Sequence, residues 1–238
     1  MAPELQIGNI TVEVVLKDIK NIHLSVYPPS GRVRIAAPRR MSPETIRAFA
    51  VAKLPWIRQQ QRKLHEQERE TPRDYLDRES HYVFGKRCMI TFIEEDAPPK
   101  IELRHNKLVL RVRPETSEGA RQEILEEWYR SVLREAAVPI IARWAPILGV
   151  TVQRLFVQHM KTKWGSCNHR RQTIRLNTEL AKKPRECVEY LVVHELVHLL
   201  EPTHNARFVA LMDEALPRWQ YFRQLLNRLP LRHEHWEY

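Results

Sequence analysis

The chain has 238 residues, 43% of them hydrophobic and only 6 of them glycine, enough for one large domain or two small ones and inconsistent with a low-complexity chain. Its 39 Lys and Arg against 29 Asp and Glu leave a net charge of +10, which favours polyanionic or acidic partners and says nothing about fold. Three widely spaced cysteines, Cys88, Cys167 and Cys187, exclude a disulfide framework, and no signal-peptide pattern or apolar run of membrane-spanning length is read, so a cytoplasmic protein is expected.

Residues 8 to 37 alternate apolar and polar side chains at Ile10, Val12 and Val14, then at 23–27 and 32–35, which predicts a small antiparallel meander. Pro28-Pro29-Ser30-Gly31 supplies the turn of its last hairpin. Ser42 is a helix N-cap with Pro43 at the first helical position, and Pro55 divides the segment into helices over 43–53 and 55–69. The charged residues from Arg58 to Arg69 read as a solvated face. A second β region follows over 81–84, 87–93, 101–103 and 108–112. Two sheet segments around helices predict an α+β fold with an N-terminal region over 1–114, one layer rather than an internal repeat.

From residue 115 to 238 a second, mostly helical domain is expected. Ile124, Trp128, Val132, Ala136, Ile140 and Trp144 recur every four residues, with Leu125 and Leu133 widening the stripe. Pro139 should kink this helix, and Gly149 should end it. Strands are expected over 152–160 and 173–177, with Asn168 to Arg171 in the loop between them. A helix then opens at Lys183-Pro184-Arg185-Glu186, and one or two closing helices run from Phe208 to Leu226, broken near Pro217.

The chemistry is concentrated in His194-Glu195-Leu196-Val197-His198. On a helix the two histidines lie one turn apart on one face and can converge on a single ion, with the Glu195 carboxylate beside it. His204 brings a third imidazole after the chain has had room to turn back. Three neutral nitrogens and one open position form the ligand set of a catalytic zinc site, although nickel, cobalt or manganese would also be accepted. Glu195 would take the proton of the bound water. Burying two imidazoles and a carboxylate on so apolar a helix costs several kcal/mol unless they are paired or metal-bound. Cys167 is not counted as a fourth ligand, because catalysis needs that position open. Asp213, Glu214 and Glu201 are the candidates for orienting the ligating imidazoles, with no choice among them.

The interval from His198 to His204 equals that of the metzincin motif, but Glu201 stands where metzincins have a turn-forming glycine, with Pro202 next. The helix is therefore expected to end near Leu200. A closer match runs from His159 to Phe208. Met160-Lys161-Thr162-Lys163-Trp164-Gly165-Ser166-Cys167, then Ile174-Arg175-Leu176-Asn177, then the HELVH helix, His204 and Phe208 resemble the YgjP-like metallopeptidase family, and more distantly the SprT-like and WLM proteases. The resemblance implies a zincin-like C-terminal part, ligation by His194, His198 and His204, Glu195 as catalytic base, and a segment around Trp164 and Gly165 near the site. Substrate would lie along the edge of a strand beside the active helix, for which Arg175 to Asn177 is the candidate.

The leading expectation is a zinc-dependent peptidase acting on a peptide or protein substrate. The alternative is a nucleotide pyrophosphatase or phosphohydrolase, for which Lys161, Lys163, Arg170 and Arg171 would suit a triphosphate. A third reading, a nucleic-acid-associated metal protein, has the net charge in its favour and no recognised binding motif.

Overall fold

The computed structural model describes residues 4–27, 30–66, 79–160 and 163–229. Pro28 and Pro29 of the expected turn, residues 67–69 of the expected charged helix, and Lys161 and Thr162 of the motif lie outside them. The described residues group into two units, 4–66 and 79–229, each with its own hydrophobic core.

In the first unit the alternating residues form β1 (Glu4–Ile7), β2 (Ile10–Lys17), β3 (His23–Tyr27) and β4 (Arg32–Pro38). The sheet order is β1-β2-β4-β3, and β2 and β4 run parallel, from Val12 opposite Val33 to Lys17 opposite Pro38. The expected antiparallel meander is therefore corrected. Period-2 alternation specifies which face of a strand is buried, and any order of pairing satisfies it. Val12, Val14, Val33 and Ile35 turn inward against Ile46, Ala50 and Ile57 of α1 (Pro43–Ala52) and α2 (Leu54–Glu66). The Ser42 side chain accepts from Thr45 N at 3.3 Å, as its N-cap position requires.

The second unit begins with β5 (Ser80–Val83), β6 (Lys86–Glu94), β7 (Lys100–Arg104) and β8 (Lys107–Val112). Their order, β5-β6-β8-β7, and their pairing senses repeat those of the first sheet, including a parallel central pair. A helix capped by a serine follows in both cases, here α3 (Glu118–Leu148), with Ser117 accepting from Ala120 N. The fold thus contains an internal repeat, against the expectation of a single layer. The second sheet shares its core with α3: Cys88, Ile90, Leu108 and Leu110 belong to one cluster with Leu125, Tyr129 and Leu133. That grouping places residues 79–114 with the helical part, not with the N-terminal region drawn to residue 114. The buried stripe of α3 is Leu125, Tyr129, Leu133 and Ala137, one residue on from the Trp128 series, which is only partly buried. The helix continues through Pro139 and Pro146, and Gly149 caps it in the left-handed conformation (φ 65°).

A three-stranded sheet carries the chain to the site: β9 (Arg154–Gln158), β10 (Gly165–Asn168) and β11 (Thr173–Asn177), ordered β10-β11-β9. A 3-10 helix (Thr178–Lys182) then leads into α4 (Arg185–Val197), and α5 (Ala206–Ala215) and α6 (Trp219–Arg228) close the unit. The β5–β6 turn docks on the approach to α4, with Phe84 N donating to Ala181 O at 2.8 Å and Gly85 N to Lys182 O at 3.1 Å. Gly85 sits at φ 78°, and a Cβ there would lie 3.0 Å from Pro184 Cγ. From α3, Arg143 pairs with Glu189 of α4, and Trp144 Nε1 donates to the same carboxylate. The architecture is α+β, β-rich first and helical in the C-terminal part, as a zincin-like fold requires. No helix among the described residues is long and apolar enough to cross a membrane.

Candidate metal centre

Helix α4 is buried on nearly every side: Cys187, Val188, Tyr190, Leu191, Val192, Val193, Leu196 and Val197 all belong to the core. Its regular part ends at Val197, three residues earlier than expected. His198 is the C-cap, and tightened bonds from Leu199 N to Leu196 O and from Leu200 N to Val197 O close the turn. This tight exit replaces the glycine turn and brings His204 back over the helix end.

The three imidazoles meet through their Nε2 atoms, His198 to His204 at 3.1 Å and His204 to His194 at 3.2 Å. His198 Nδ1 donates to Glu201 O at 3.0 Å, which leaves the lone pair on its Nε2. Phe208 underlies the group, its ring centroid 4.6–4.9 Å from each imidazole. Burial, followed by the neighbouring His198 and His204, pushes His194 down to about 3. Burial also lowers His204. Imidazoles whose Nε2 atoms are turned on one point suit a divalent cation. Metal–nitrogen bonds of about 2.0–2.1 Å in a tetrahedron put the nitrogens about 3.3 Å apart, close to the spacing seen.

Glu195 is 3% exposed, and burial pushes its carboxyl up to about 8 against a smaller opposing pull from Lys163. Its Oε2 is buried with no hydrogen-bond partner among the described residues, an orphan that a bound ion and its water would satisfy. Gly165, the first residue of β10, packs against this carboxylate. A Cβ there would lie 2.5 Å from Glu195 Oε1 and 3.2 Å from Arg175 O, so only glycine admits this approach.

A family model for the YgjP-like metallopeptidase domain matches residues 20–229. The chain belongs to that family. Among solved structures it is similar to the metallopeptidase zymogen of Pyrococcus abyssi abylysin, at 20% identity over 40% of this chain and 99% of that one, with a TM-score of 0.35. It is also similar to the zymogen of Methanocaldococcus jannaschii jannalysin, at 18% identity over 40% of this chain and 92% of that one, with a TM-score of 0.33. A comparison with curated proteins finds no match.

In this YgjP-like metallopeptidase the remaining expected residues take different places. Strand β11 is central, paired with β10 on one side and β9 on the other, so 175–177 offers no edge for a substrate strand. The edges of this sheet are β9 and β10, and it is β10, whose Gly-Ser-Cys-Asn shows no strand pattern of its own, that lies against Glu195. Arg175, opposite Ser166 in register, alternates away from the Gly165 face of the sheet and lies over Phe156 at 5.4 Å. Asn177 is 5% exposed and fully committed: its amide donates to Met160 O and Lys163 O, both at 2.8 Å, and its Oδ1 accepts from Glu179 N at 3.2 Å. It braces the entry to β10. Trp164 packs against the core with Lys183 Nζ 5.8 Å from its ring. Cys167 lies near Glu195 without joining the three-histidine group; burial and that carboxyl raise its thiol to about 11. The orienting group on His198 is the Glu201 carbonyl, while the Glu201 carboxylate accepts from Thr203 and Asp213 accepts from Trp219 Nε1. Arg170 and Arg171 occupy the β10–β11 turn, at the opposite end of β10 from Gly165.

Residues that sequence reasoning passed over are Lys163 as a cation acting on Glu195, Tyr190 tilted against His194 at 5.8 Å, and Arg223, whose charge acts on His194 and His204. Lys163 had its signal in the motif before β10, and Tyr190 in its place four residues before His194 on the same helix face; Arg223 had none.

Proposed function

We propose that the chain hydrolyses peptide bonds at a zinc ion held by His194, His198 and His204, with Glu195 as the proton acceptor. The supporting observation is the buried Glu195 Oε2, without a hydrogen-bond partner among the described residues, on the helix that brings the imidazole nitrogens together. A bound zinc ion supplies Lewis acidity, making water more acidic and the scissile carbonyl more electrophilic.

The protein's own groups do the rest. Glu195 receives the water proton on its carboxylate and passes it to the leaving amine, from a buried position against Gly165. The Glu201 carbonyl fixes the His198 tautomer. The outer edge of β10, on which Gly165 lies against Glu195, is the edge along which an extended peptide would pair; among the described residues only its inner edge is taken, by β11. Gly165 and the Trp164 backbone are in this reading substrate-lining, and Arg175 and Asn177 are not.

The test is hydrolysis of casein and of a nucleotide panel by zinc-loaded protein, alongside Glu195→Gln. Peptide cleavage that falls at least a hundredfold in the variant is expected, since positioned acid–base groups contribute about 10²–10⁴-fold. Full activity in Glu195→Gln would falsify the mechanism, and turnover of nucleotides alone would replace the substrate class.

A further inference from the structure

The two copies of the sheet module differ in charge on the face turned away from the core. In the first copy Glu4, Glu13, Arg34 and Ser25 stand in one row across β1, β2, β4 and β3. Glu13 pairs there with Arg34 at 2.9 Å and with Arg32 at 3.8 Å. The same row of the second copy, across β5, β6, β8 and β7, is Ser80, Met89, Lys107 and Arg104. In both hairpins the row lies three residue pairs from the turn. Both acids are gone, and an arginine stands in place of Ser25.

Strand alternation puts Arg87, Arg111 and Lys100 on that same outer face. Glu102 is the one acid among the described residues of these strands on it, shared by Lys100 at 2.8 Å and Arg104, and Glu95 reaches Arg111 from the following loop at 3.0 Å. Arg87 and Lys107 have no carboxylate partner among the described residues; Arg87 Nε donates to Ser80 Oγ at 2.6 Å. Lys107 lies directly opposite Arg104, and Lys100 directly opposite Arg111. Like charges placed so are destabilising in a sheet. Among them Tyr82 is 39% exposed and Met89 and Ile93 are each 36% exposed, although the inner face of the sheet has a full core. Cations set against one another around uncovered apolar side chains oppose folding, and a bound polyanion reverses the sign of that cost.

We propose that the outer face of the β5–β8 sheet binds single-stranded nucleic acid. Its phosphates meet Arg87, Lys107, Arg104 and Arg111, and its unpaired bases cover Tyr82, Met89 and Ile93. A duplex keeps its bases stacked inside and leaves the apolar side chains exposed, and an acidic peptide carries no flat ring between its charges to lie on Tyr82. Strands about 4.8 Å apart and same-face residues about 6.8 Å apart give a field about 14 Å across, room for a few nucleotides. The proposal needs neither the metal nor the peptidase reading.

The experiment measures fluorescence anisotropy of a labelled oligothymidylate with the full chain in chelator, over a salt titration from about 50 to 200 mM. Lys107→Ala should lower the slope of log K against log salt by about 0.7, the loss of one phosphate contact on a single strand. Tyr82→Ala should weaken binding about tenfold through lost stacking. Met89→Glu restores the acid that the first sheet carries in this row, and should weaken binding at least tenfold with an unchanged thermal melt. Lys17→Ala, which removes an exposed cation from β2, should leave the slope unchanged. A Lys17→Ala effect equal to that of Lys107→Ala would mean that binding follows net charge, and the proposal fails. It fails equally if wild type does not bind the oligonucleotide. Binding as tight to the matching duplex, to polyglutamate or to phosphatidylserine vesicles assigns the face to another partner and overturns the proposal.

Discussion

Glu195 is held in a place that suits catalysis and disfavours folding. A carboxyl whose ordinary value is 4.5 is raised to about 8 by burial, with Gly165 against one oxygen and no hydrogen-bond partner among the described residues for the other. In the metal-free protein the folded state therefore keeps this proton between about pH 4.5 and 8, where the unfolded chain has released it. The folded state binds more protons across that window, so stability falls as pH rises through it. Glutamine is isosteric and does not titrate. Metal-free Glu195→Gln should match wild type near pH 4.5 and exceed it increasingly up to pH 8, by a few kcal/mol at most, since each pH step of one across that window is worth about 1.4 kcal/mol. Urea denaturation in chelator at pH 5 and pH 8.5 measures this. A variant no more stable than wild type at the higher pH would show that the carboxylate is compensated in the folded protein.

At the scale of elements, the site is a helix end and a short strand, and these differ in how far the sequence discloses them. HELVH on an apolar helix was legible because the 3.6-residue repeat alone brings His194, Glu195 and His198 together, and spacing was enough to add His204. The early exit at Val197 was not, because it depends on tertiary return of the chain over the helix. Strand β10 was hidden as well. Gly-Ser-Cys-Asn has little strand propensity and no alternation, and it is extended because β11 pairs with it and Asn177 ties down its approach. That makes Asn177 a testable brace. Asn177→Ala removes the donor to two part-buried carbonyls and should cost about 1–3 kcal/mol in chemical denaturation. Asn177→Asp keeps the acceptor for Glu179 N but sets a carboxylate against Met160 O and Lys163 O, and should be no better. Metal content per folded molecule should stay at the wild-type level in both, since the ligands come from α4 and the turn after it. An aspartate variant as stable as wild type would remove the brace from the account.

Across the whole molecule, two copies of one β-hairpin pair with a following capped helix have different fates. In the second unit, sheet β5–β8 lies under α3, in the same core as the metal-bearing helix; in the first, sheet β1–β4 is covered by α1 and α2 in a core of its own. Sequence alternation marked both sheets yet could not show their pairing order or which helix covers each, because those are choices among distant partners. Separate cores predict separate cooperative units. Calorimetry of the metal-free chain should resolve two transitions. Ile35→Ala, in the first core, should lower one of them, and Leu133→Ala, in the second, the other, each by about 2–5 kcal/mol because both side chains are fully buried. Zinc binds only the folded form of the unit that carries the three histidines. It should raise only the transition that Leu133→Ala lowers, by about 4 kcal/mol at a thousandfold excess over Kd. A single transition displaced alike by both substitutions and by zinc would mean that the repeated module and the metal-bearing unit fold as one body.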